Sequence, residues 1–150
     1  MGNVRATSFE LPLPPGWADR TAVTVAGPRA QDGYVPNLVV TQETLCDGLG
    51  LHGFAEGHAN LLRLHASEFA VLSREDCELA GERAALRIVR WRMGDEPALV
   101  QLQAFVVHDG VGYAIVGTAT EDAFSGAEPH LRAMVDGFRF CPMPAVVGAQ

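Results

Sequence analysis

The chain has 150 residues, 48% of them hydrophobic and 19% charged. That is enough for one domain with its own core, and it argues against a disordered chain. Eighteen acids against 11 bases give a net charge of −7, which repels phosphate backbones and sets nucleic acid aside as a partner. All 11 bases are arginine and they do not cluster. Arg83, Arg87, Arg90 and Arg92 alternate with apolar residues, as on a strand with a solvated or paired face.

Cys46, Cys77 and Cys141 are isolated, odd in number and form no CxxC, so neither a disulfide framework nor a zinc site is expected. Residues Met1 to Ser8 are polar, without the apolar core of a signal peptide, and no run approaches 18 apolar residues. No integral membrane segment is expected, and the cytoplasm is the default compartment.

In chain order, Ser8–Leu13 alternates apolar and polar residues and predicts a short strand, stopped by Pro14-Pro15-Gly16. Trp17 sits directly after that turn. Thr21–Ala26 is a second strand, rich in β-branched residues, and Asn37–Thr44 a third. After the break at Gly48 to Gly50, Leu51, Phe54, Ala55, His58, Leu61, Leu62 and His65 recur at helical spacing. They predict a helix over about 50–66, weakened at Gly57 by about 1 kcal/mol relative to alanine. Four strands follow, over 69–79, 84–93, 98–108 and 111–120, with hairpin turns at Gly81-Glu82, Gly94 to Pro97 and Asp109-Gly110. A second helix is expected over 127–136 with Pro129 near its first turn and Gly137 at its end. Phe138–Phe140 is extended, and the tail 141–150 is expected to fray. Strands, helix, strand meander and helix describe one α+β domain with helices packed on an antiparallel sheet.

The chemistry-bearing residues form no catalytic pattern. No serine lies in a GxSxG elbow. Gly48, Gly50 and Gly53 spell a literal GxGxxG, but no βαβ unit follows it. His58 and His65 share a helix face yet lie ~10 Å apart along the axis, too far to chelate one metal. The adjacent acids Glu75-Asp76, Asp95-Glu96 and Glu121-Asp122 read as solvated turns and strand positions. No enzyme, cofactor or metal is expected. Gln101 and Gln103 point to one face of their strand, with Leu99, Phe105 and Val107, and Arg87, Val89 and Trp91 can face them from the preceding strand. A buried amide without a partner costs roughly 1–3 kcal/mol. Either internal partners or a ligand must therefore satisfy this pair.

Several segments taken together resemble the DcrB-like family of Mog1/PsbP-like fold. They are Phe9-Glu10-Leu11-Pro12, Gly16 to Thr21, Pro36 to Glu43, Phe54-Ala55, Trp91, Gln101 to Phe105, Gly117 to Thr120 and Met134 to Phe140. The resemblance spans roughly residues 7–140. It implies a non-catalytic scaffold, similar to the type VI secretion chaperones that cradle apolar helices of effectors as homodimers. Pro14 to Trp17 and the Gly33 to Val40 run are also similar to LpqN-like proteins, which implies a small-molecule or lipid-binding module as the alternative. In the chaperone pattern a sheet glutamine and a helix glutamine hydrogen-bond the cargo; Gln103 falls at the first position, and His58 replaces the second. The partner-binding surface implied comprises Phe54, His58, Leu62, Trp91, Gln101, Gln103 and Phe105.

Overall fold

A computed structural model describes residues 10–141. Within them the order is β1 (Ala22–Ala26), β2 (Asn37–Thr44), α1 (Leu51–His65), β3 (Glu68–Leu79), β4 (Glu82–Arg92), β5 (Leu99–His108), β6 (Val111–Thr120) and α2 (Phe124–Asp136). The strands form one six-stranded sheet in the order β1-β2-β6-β5-β4-β3, antiparallel at every pair. The meander β3 to β6 is the arrangement expected from the hairpin turns. Asp109 and Gly110 take positive φ of 49° and 74° in the tight turn between β5 and β6, the conformation an Asp-Gly pair tolerates. The β1–β2 hairpin joins the meander by pairing β2 with β6.

Two expectations change. Residues 10–13 have no regular structure, because Pro12 and Pro14 lack the N–H a ladder needs; Ser8 and Phe9 lie outside the described residues. The second helix begins at Phe124, and Pro129 falls inside it. Phe124, 9% exposed, anchors that extra first turn in the core. The GxGxxG glycines precede α1, but no parallel strand accompanies them, so the crevice that holds a dinucleotide is not formed. The expectation for the tail concerns residues 142–150, outside the described ones.

The helices lie on opposite faces. On one face Leu102, Ala104, Val106, Ile115 and Leu38 pack with Leu131 and Val135 of α2. Gly117 lets this helix close: a Cβ there would lie 2.7 Å from Leu131 Cδ2. On the other face Phe105, Ala85 and Ala114 pack with Phe54 and Ala55 of α1. Gly112 has the same role there, since its Cβ would meet the Phe54 ring at 2.8 Å.

Candidate functional site

The period-2 alternation of β4 and β5 decides which side chains meet α1. The register pairs Ala85 with Phe105, Arg87 with Gln103, Val89 with Gln101 and Trp91 with Leu99, the matching face expected from the sequence. From β6, Ala114, Val116 and Thr118 stand beside Phe105, Gln103 and Gln101. All seven residues expected at a partner surface therefore belong to α1 or to the sheet face it covers. They differ in access. Phe54, Gln103 and Phe105 are 3%, 2% and 0% exposed, whereas His58, Leu62, Trp91 and Gln101 are half-buried.

The glutamines form a directed ladder. Gln103 donates Nε2–H to Gln101 Oε1 at 2.9 Å, and Gln101 donates Nε2–H to Thr118 Oγ1 at 3.2 Å. Gln103 Oε1 is left buried without a partner, as are Trp91 Nε1 and Arg87 Nε. Arg87, 4% exposed, is the residue sequence reasoning placed on the right face but not in the interior. Its Nη2 donates to the Ala55 carbonyl, its Nη1 lies 3.4 Å from Glu56 Oε1, and its guanidinium carbon stands 4.9 Å from the Phe105 ring centroid. It ties α1 to the sheet through a carbonyl, a carboxylate and a π face at once. The available signal was its place inside Ala84 to Val89, a run apolar on both faces. Arg90 and Arg92 instead pair with Glu68 and Glu121 at the surface.

His58 packs edge-on to Phe54 at 5.1 Å and against Phe105 at 5.1 Å. Burial pushes its pKa below the ordinary value, with Glu43 opposing the shift and Arg87 adding to it. It is thus a neutral aromatic spacer at pH 7. His65 is exposed. Among the described residues, no group of three or more His, Cys, Asp or Glu side chains is placed to hold a metal ion.

The helix crosses the sheet obliquely. It starts with Phe54 against Gly112 of β6 and ends with Arg63 over Phe69 of β3. Most of its packing is against β3, β4 and β5, while Gly112, Ala114 and Val116 of β6 meet it only at Phe54 and the helix start. On the same sheet face Val116, Val39, Thr41 and Gln101 are half-buried. The side of α1 that carries Phe54 also carries, two turns on, Leu61, which is 57% exposed.

A separate cavity of about 950 Å³ lies on the opposite face, between α2, the end of the β1–β2 hairpin and the 27–36 loop. Val25, Leu38, Ala127, Leu131 and Met134 give it an apolar lining. Asp32 at its rim is committed: its carboxylate accepts the Thr120 hydroxyl and the Tyr34 amide N–H.

An all-antiparallel sheet with a helix on each face, in this strand order, has the Mog1/PsbP-like α+β fold. A protein of unknown function from Pseudomonas aeruginosa, PA94, described as a candidate regulator, superposes with a TM-score of 0.77 at 16% identity, over 93% of this chain and 96% of its own. The PsbP of the cyanobacterium Synechocystis sp. PCC 6803 (CyanoP) superposes with a TM-score of 0.51 at 11% identity, over 76% and 79%. The profile of the DcrB family matches residues 8–137, and the chain belongs to that family. No curated protein matches it in sequence. No helix among the described residues is long and apolar enough to cross a membrane.

Proposed function

We propose that the chain is a non-catalytic binding protein, a cytoplasmic adaptor or chaperone of a bacterial secretion system of the type VI kind. It works as a homodimer that holds an apolar helical segment of a partner. The observation that carries this reading is the half-buried apolar part of the α1 face at Val39 and Val116, together with the exposed Leu61 of α1. The half-buried Gln101 amide stands on the same sheet face as Val116. A helix laid there would bury its apolar face against Val39, Val116 and Leu61. The amide and Thr41 would fix its orientation, since a few polar groups in an apolar groove supply specificity more than affinity. His58, neutral, edge-on to Phe54 and tilted against Phe105, adds an aromatic edge without a buried charge. The description of PA94 as a candidate regulator agrees with a binding role. So does the lack of any catalytic constellation in the sequence.

The test is fluorescence anisotropy with a labelled apolar helical peptide of about 20 residues, a length that spans ~30 Å. Leu61→Asp changes an exposed position and should weaken binding at least tenfold; Gln101→Ala should weaken it less. Failure of the wild-type chain to bind such peptides, or binding indifferent to Leu61→Asp, rules the reading out.

A further inference from the structure

The two edges of the sheet are built differently. β3 has 12 residues, a register shift that leaves Leu72 unpaired as a bulge, and the charged side chains Arg74, Glu75, Asp76 and Glu78. Bulges and charges are the devices that keep an edge strand from pairing with another chain. β1 has neither. Its five residues read AVTVA, with no charge, no proline and an unbroken register against β2.

Backbone parity shows what this edge offers. The Gly27 N–H donates to the Pro36 carbonyl opposite it at 2.8 Å. Val25 and Val23 share that parity and turn their backbone groups to β2, while Ala22, Thr24 and Ala26 turn theirs outward. Those three are exposed, and the two valines are half-buried on the α2 face. AVTVA also reads the same in both directions. Two copies run antiparallel about a two-fold axis at Thr24 would place Ala22 opposite Ala26 and Val23 opposite Val25. That is the self-complementarity an isologous interface requires.

We propose that β1 pairs edge to edge with β1 of a second copy of this chain, joining two six-stranded sheets into one. The segment before β1 supports this occupant. Leu11, Leu13 and Trp17 are 70%, 54% and 72% exposed in their own chain. In the antiparallel pair, the residues preceding Ala22 of one copy run alongside Gly27 and Pro28 of the other. Gly27 and Pro28 line the cavity between α2 and the 27–36 loop. Each copy then brings its Trp17 to the mouth of the other's apolar cavity, which covers the exposed indole and narrows the pocket opening. A symmetric pair covers both cavity mouths and leaves both β3 edges free.

The inference gives the homodimer of the preceding reading an interface, and it rests on that reading for nothing else. Sedimentation velocity on the full chain tests it. The wild-type chain should sediment as a dimer. Thr24→Pro removes an outward N–H and spares the β1–β2 ladder; Thr24→Lys sets two ammonium groups opposite one another. Each should weaken association at least tenfold with an unchanged far-UV circular dichroism spectrum. Trp17→Ala should weaken it several-fold. A wild-type monomer at high micromolar concentration, or a dimer indifferent to both Thr24 variants, overturns the proposal. Peptide binding measured in parallel through Leu61 and Gln101 separates its failure from failure of the groove reading.

Discussion

The two faces of the sheet solve the packing problem by different means. Under α2 the buried cluster consists of Leu, Ala, Val, Ile and Phe side chains, without a buried charge or amide. Under α1 the same sheet buries Arg87 and Gln103, and every buried polar side-chain atom found without a partner among the described residues lies there. An unpaired buried polar atom costs roughly 1–3 kcal/mol, so the α1 face gives up stability that the α2 face retains. Low local stability is typical of the regions of a protein that bind or move. The contrast in packing is the one the proposed reading calls for, with α2 holding the fold and the α1 side left for contact.

The largest break in the comparison should come from the α2 face. Leu102→Ala, at a position 0% exposed, should cost about 2–5 kcal/mol in urea denaturation, as large-to-small core changes do. Gly117→Ala should cost about 1–3 kcal/mol, because its Cβ would lie within 3 Å of Leu131. On the α1 face, Gln103→Leu should change stability by less than about 1 kcal/mol. It removes an amide whose oxygen has no partner, at the expense of the donor to Gln101. A loss as large as that of Leu102→Ala would show that the ladder holds the fold and would erase the contrast.

The smallest effect is on pH dependence. His58 has a folded pKa pushed below its ordinary 6.5, so in the window beneath that value the unfolded chain binds more protons. Stability should be full above about pH 6.5 and fall as pH drops through the window towards the lowered folded pKa. His58→Phe should flatten that part of the profile, measured as the urea midpoint between pH 7.5 and 5.5. An unchanged slope would show that the ring is protonated freely, in contact with water.

The Asn37–Thr44 strand, the α1 helix and the hairpin meander were legible because their signals are local. β-Branched alternation, a 3.6-residue apolar period and an Asp-Gly turn each act within a few residues. The Gln101–Gln103 pair and its facing Arg87, Val89 and Trp91 were legible for the same reason, since strand parity fixes which side chains share a face. The start of α2 was not. Pro129 carries a strong local preference for a first turn, and burial of Phe124 overrode it.

Periodicity along the chain is enough to define an α+β domain, its strand parity and the residues gathered on one face. Long-range packing sets the two helices on opposite faces and closes β2 on β6. It also makes Arg87 an interior tie and leaves β1 as an open, uncharged edge. Those outcomes depend on contacts between residues far apart in sequence, such as Gly112 with Phe54 and Gly117 with Leu131, where the absence of a single Cβ sets how closely a helix can approach the sheet.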